Sequence, residues 1–353
     1  MATAIATTDP RTVAPATAWE RPVVRLLVDP RDIHFVRVAA RLAAIVWTCS
    51  LLLFLLPWSA VAVLGPIYVA CLFVFGMGRF ILMLHAVSHR PLFPKRHLIL
   101  EALIPWTLGP FFGQTPTSFA VHHIGMHHRE DNLEGDLSST LAYERDNPWH
   151  FLHYWARFWF FGHLHLSHYL WKNGRTRLLR RLWVGETAWL VGVGLLAWLN
   201  PVATTFVFIL PLLLIRTLFM TGNWGQHAFV DINNADDPFR SATCLTNTRY
   251  NHKAYNDGYH IVHHIKPSLH WTEMATWFEE NWAEFAAHNA VVFRGVADNQ
   301  AVFFRLMTQD YTWLAERLVE LGDPRPVEER VAFLQERARR TRGRRLGLLE
   351  FAR

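Results

Sequence analysis

Two long apolar stretches dominate this sequence, one over about residues 38–84 and the other over about 183–222. Their only charges are Arg41 and Arg79 in the first, and Glu186 and Arg216 in the second. One helical crossing of a bilayer takes roughly 20 residues, so each stretch is long enough for two. Each is also interrupted near its middle, at Pro57-Trp58 and at Asn200-Pro201, where a tight turn between helices fits. In hydrocarbon, backbone N–H and C=O groups have to be satisfied inside the segment, and a continuous apolar run achieves this as a helix. The expected fold is an all-α integral membrane protein. Its four transmembrane helices form two hairpins, over about 38–56, 59–84, 183–199 and 202–222, with a cytosolic helical cap.

The distribution of Lys and Arg sets the orientation. The turns near Pro57 and Pro201 carry none, whereas residues 90–181 carry Lys95, Arg96, Arg129, Arg145, Arg157 and a cluster from Arg175 to Arg181. Both termini and this central insert are therefore expected in the cytoplasm. Residues 1–35 read as a flexible cytosolic tail, 36–275 as the membrane domain and 276–353 as a cytosolic helical region. Residues 98–114 are too broken by Pro105 and Pro110 to span, and the aromatic-rich 149–172 suits the headgroup layer. The net charge of +6 follows from these loops, and nothing resembles a nucleic-acid module, so no nucleic-acid partner is expected. The Arg-rich run 337–345 could touch anionic lipid. The 3 cysteines show no Cys-x-x-Cys, which excludes zinc ribbons and cysteine-ligated clusters.

Histidine is the outlier, with 20 in 353 residues. Four groups stand where apolar stretches meet polar ones. His85 and His89 follow the second span at i and i+4, on one helix face. His123 and His127 repeat that spacing and His128 adds a neighbour; His122 is an alternative first ligand, since His-x4-His also closes one turn. Asn223 and His227 follow the fourth span. His260, His263 and His264 occupy one turn. Imidazole suits several transition metals, but a zinc site uses three or four protein ligands, and these groups offer nine or ten. Two metals are the natural reading.

In these boxes the sequence resembles the membrane fatty-acid desaturase and hydroxylase family. His85/His89, His123/His127/His128 and His260/His263/His264 match its three histidine boxes in order, over about residues 38–275. Asn223-x3-His227 looks like that family's extra site, where His227 would bind iron and Asn223 hold a water. The resemblance implies two iron ions (Fe2+/Fe3+), O2 as co-substrate, and a fatty acid or fatty acyl thioester as substrate. Loss of two hydrogens from the chain would give desaturation, the outcome most expected. Rebound of oxygen would give an alcohol, and loss of CO2 from a free acid a terminal alkene.

Metal-bound imidazoles usually donate their second N–H to a carboxylate or carbonyl, so Glu130, Asp131, Glu134, Asp136 and Asp257 are candidate partners. Arg249 and Lys253, with His252, could hold a carboxylate or thioester head group. His163, His165 and His168 read as interfacial polar residues. No dinucleotide fingerprint or ferredoxin-like cysteine set is seen, so an external ferredoxin or cytochrome with its reductase is expected to supply electrons. The competing class is a membrane metal transporter, but transporters place ligands near the bilayer midplane on broken helices. Here the boxes sit at helix ends and in polar loops.

Overall fold

The computed structural model describes residues 6–341 and 347–348; residues 342–345 of the Arg-rich run lie outside the described residues. The chain folds as two compact units, one of Thr12–Ile124 and Arg175–Thr217, the other of Met1–Arg11, Gly125–Gly174 and Leu218–Arg353.

Among the described residues, four helices are long and apolar enough to cross a membrane: Pro30–Leu55, Trp58–His89, Thr176–Leu199 and Pro201–Gln226. Each runs past the apolar stretch that announced it, and the extra turns carry His85, His89 and Asn223. Their boundaries follow local chemistry. Leu56 is extended, Pro57 caps the second helix, and the Asn200 side chain accepts from Ala203 N–H with Pro201 at the first helical position. Large apolar side chains point outward along these helices, among them Leu55 (73% exposed) and Trp198 (82%), as lipid contact requires.

In the first unit, Leu53, Val61, Trp189, Val193, Ala203, Val207 and Phe208 form a core. Residues 98–112 make only short helical turns, capped by Gly113 in the left-handed region (φ 71°). The next few residues position the second histidine box. Thr115 donates to the Glu186 carboxylate, and Thr117 Oγ1 donates to the Arg181 carbonyl at 2.8 Å. Gly185 allows this approach, because a Cβ there would overlap the Pro116 carbonyl oxygen. Backbone rather than a flexible side chain is in the way. Gly185→Ala is therefore expected to destabilise by about 1–3 kcal/mol, the usual range for overpacking, read as a lowered Tm of the detergent-purified protein.

The second unit departs from the all-helical expectation. Thr243–Thr246 (β1) and Val291–Arg294 (β2) form a two-stranded parallel sheet, with Cys244 opposite Val292 and Leu245 opposite Phe293. Alternate side chains enter two cores. Cys244 and Val292 join Tyr259, Phe278 and Phe285, while Leu245, Val291 and Phe293 join Leu306, Leu314 and Leu334. A parallel pair buried on both faces carries apolar residues throughout. The sheet also runs across residue 275, where the cytosolic C-terminal region was expected to begin, so 276–341 packs as part of this unit.

The aromatic segment forms one helix, Pro148–Lys172, started by the Asn147 side chain accepting from Trp149 and His150 N–H. Trp149 and Phe160 are exposed, but Tyr154 is buried with Tyr143, Trp224 and Phe303. His165 is buried as well (2% exposed), unlike the interfacial polar residue expected there. Residues 6–11 also differ from the flexible tail expected over 1–35. Asp9 is buried, and Thr7 and Arg11 both bond Glu279.

Candidate metal centre

The second box lies on an interrupted helical run: Ser118–His122 is α-helical, His123–His127 is a π turn and His128–Glu130 returns to α. A wider i→i+5 turn changes the angular step between residues, and such turns are frequent at functional sites. His123 and His127 consequently meet different neighbours. In the first unit His123 Nε2 is 2.9 Å from His89 Nε2, and the His85 ring lies 4.6 Å from the His123 ring. His123, not His122, makes this contact. In the second unit His127 joins His227, His260 and His264, whose ligating atoms all lie within 4.8 Å of one another.

Consecutive residues diverge again at the third box, on the helix His260–Ile265. His260 and His264, one turn apart, face His227, with Nε2–Nε2 distances of 3.3 Å (His260–His227) and 3.1 Å (His264–His260). His263 instead meets His128 at 2.9 Å. The second unit alone thus contains two foci of imidazole nitrogen. Two imidazoles bound to one zinc-sized ion at about 2.0–2.1 Å stand roughly 2.9–3.4 Å apart, and these separations match.

The opposite ring nitrogens explain why the lone pairs face inward. His127 Nδ1 bonds Asp136 Oδ2 at 2.6 Å, His264 Nδ1 bonds Asp131 Oδ1 at 2.6 Å, and His227 Nδ1 donates to the Ser241 carbonyl at 2.7 Å. With the proton on Nδ1, each Nε2 presents a lone pair to the group. Buried lone pairs converging this way repel one another, and a cation relieves that repulsion. Burial, reinforced by neighbouring His264 and His127, pushes the His227 pKa down to about 3, and burial also lowers His264. His127 goes the other way: burial opposes its charged form, but the Asp136 carboxylate outweighs it and raises the pKa. Burial would raise Asp131, yet its bond with His264 holds it low.

Both carboxylates come from a loop that reverses sharply after Glu130. Asp131 and Asn132 take left-handed backbone (φ 47° and 58°), a conformation that Asp and Asn tolerate. Asn132 Oδ1 then accepts from Thr140 N–H, Ser138 braces Asp136 through N–H and Oγ, and Thr140 Oγ1 donates to the His227 carbonyl. Asp136→Asn keeps the shape but removes the charge facing His127 Nδ1. It is expected to weaken metal binding about 10–100-fold, measured by competition with a chelator.

The other candidates are placed as follows. Glu130 accepts from the Tyr169 hydroxyl, and Glu134 is exposed. Asp257 accepts from Tyr250 OH at 2.6 Å and Gln226 Nε2 at 3.0 Å. The Asn223 amide donates to Tyr154 OH and to the Ser138 carbonyl. Arg249 and Lys253 are exposed on a short helix. Sequence reasoning missed Ser138, the Ser241 carbonyl and Arg145. Arg145 is fully buried and donates to the carbonyls of Ala228 and Val230, just beyond His227. A main-chain carbonyl has no residue signature, and Arg145, set between Glu144 and Asp146, has none that separates it from a solvated charge.

A mostly helical protein with four apolar helices and grouped, carboxylate-backed imidazoles defines a class: a membrane protein with sites able to hold metal ions. The chain belongs to the fatty acid desaturase family, whose model matches residues 63–295 of the 353. No curated protein and no solved structure matches it. Membership makes it an oxidoreductase of the membrane that acts on fatty acyl chains, and the histidine groups fit iron.

Proposed function

We propose that the protein uses two irons and O2 to desaturate a fatty acyl chain. The observation that carries this reading is the pair of imidazole foci in a member of this family. His127, His227, His260 and His264 hold one iron. His128 and His263 hold the other, and His85, His89 and His123 of the first unit are further iron ligands. Bound iron supplies the redox chemistry with O2 that side chains lack. The chain's own residues do the rest. Asp136, Asp131 and the Ser241 carbonyl hold protons on Nδ1 of His127, His264 and His227, which fixes the tautomers and aims each Nε2. Asn223 holds a water beside His227. Electrons come from an external ferredoxin or cytochrome with its reductase. The four spans pair as two hairpins with both termini and the active site cytoplasmic, and Arg249 and Lys253 receive the substrate head group.

Metal analysis of the purified protein tests the site. Two irons per chain are expected. Zinc as the native metal, with no O2 consumed in the presence of a reductant, would overturn the proposal and favour a metal-handling protein.

A further inference from the structure

We propose that residues 7–11 form a positioning strap for the third histidine box, acting through Tyr259; the idea rests on the metal reading above. Asp9 is 3% exposed, and its carboxylate gathers three donors. Oδ2 accepts from the Tyr259 hydroxyl at 2.6 Å and from Asn247 N–H at 2.8 Å, and Oδ1 accepts from Thr248 N–H at 3.3 Å. Tyr259 immediately precedes His260, and its carbonyl accepts from His263 N–H at 2.9 Å.

The strap is fastened on both sides of Asp9. Thr7 N–H and Arg11 Nη2 both bond Glu279 Oε1 at 2.6 Å, and the Asn256 amide donates to the Pro10 carbonyl at 2.8 Å. It therefore grips residues 247–259 at both ends, at Asn247 and Thr248 and again at Asn256 and Tyr259. This loop needs such a grip. Asn247, Tyr255 and Asn256 all take left-handed backbone (φ 51°, 52° and 56°), which Asn tolerates but which costs energy at Tyr255 unless surrounding contacts hold it. The loop ends at the first ligand of a helix serving both foci, since His260 and His264 join His127 and His227 while His263 meets His128. A shift of Tyr259 moves all three ligands together. Distant in sequence, Asp9 bonds no imidazole among the described residues and acts only by fixing where the box begins.

The test uses the full-length protein as wild type, Asp9→Ala, Asp9→Asn, Tyr259→Phe and the Asp9→Ala/Tyr259→Phe double variant. Iron retention against a chelator and the visible spectrum of the cobalt-loaded protein are read beside Tm. Asp9→Ala is expected to weaken metal retention about tenfold and to alter the cobalt spectrum, in line with loss of an outer hydrogen-bond partner. Asp9→Asn, whose amide oxygen still accepts, should restore part of both. Tyr259→Phe keeps the ring and should shift the spectrum in the same sense, with the double variant no worse than Asp9→Ala, because the two residues act through one bond. If Asp9→Ala fails to fold, Tyr259→Phe alone carries the reading. Wild-type spectrum and retention in Tyr259→Phe, or effects that add in the double variant, would overturn the strap while leaving the metal centre intact. A wild type that binds neither iron nor cobalt would overturn both.

Discussion

His127→Ala is expected to leave about one iron per chain and no detectable acyl oxidation. The change deletes one of four nitrogens that lie within 4.8 Å of one another, and it removes the imidazole facing the fully buried Asp136 carboxylate, which keeps the Ser138 and Asn132 donors. A buried carboxylate that loses its imidazole partner is costly, so local structure would relax and the remaining imidazoles would lose their aim. The loss of affinity at that focus should exceed the roughly 10–100-fold that follows removal of a ligand's own hydrogen-bond partner. His263→Ala should remove the other iron instead, because His263 meets His128 rather than the four-histidine group. Iron per chain, counted for the two variants and for their combination, checks this. Retention of both irons in His127→Ala would contradict the assignment.

The largest effect on stability is expected at Arg145. Its guanidinium is fully buried and donates to three segments of main chain, through the carbonyls of Ala228 at 2.9 Å and Val230 at 3.2 Å, of Arg337 at 2.5 Å and of Thr140 at 3.4 Å. Its own N–H donates to the Ala338 carbonyl, and its carbonyl accepts from Trp224 Nε1. Arg145→Met fills similar space but leaves buried carbonyls without a donor, each costing about 1–3 kcal/mol. A total above about 3 kcal/mol is a large share of an ordinary domain's 5–15 kcal/mol. The variant should melt many degrees lower and be cleaved faster by protease near His227. A Tm within a degree or two of wild type would show that water or rearrangement replaces the guanidinium.

The spans were legible because hydrophobic length is a local property, and so were the boxes, because i, i+3 and i+4 spacing fixes a helix face without tertiary information. What escaped was non-local. Nothing in His123-Ile-Gly-Met-His127 announces the π turn that sends its two histidines to different partners. The strands at Thr243–Thr246 and Val291–Arg294 are four residues each and pair across 44 intervening residues (247–290), too short and too distant for periodicity to reveal. Asp131 and Asp136 were legible as carboxylates near a box, but Asp9 was not, since its partner Tyr259 lies 250 positions away. The same limit hid Arg145, which read as one more cytosolic positive charge and is instead an interior brace.

Desaturation is the O2-dependent loss of two hydrogens from an acyl chain. Iron-replete membranes containing the protein, supplied with O2 and a reducing system, would be fed a fatty acid carrying carbon-13 in its carboxyl group. Headspace gas and lipid would then be analysed by mass spectrometry. The expected product is an acyl chain two mass units lighter that keeps its label, with the double-bond position marking where the chain lies against the metals. Labelled CO2 with an alkene one carbon shorter, or an acyl chain heavier by one oxygen, would contradict desaturation. No O2-dependent change at all would contradict the account as a whole.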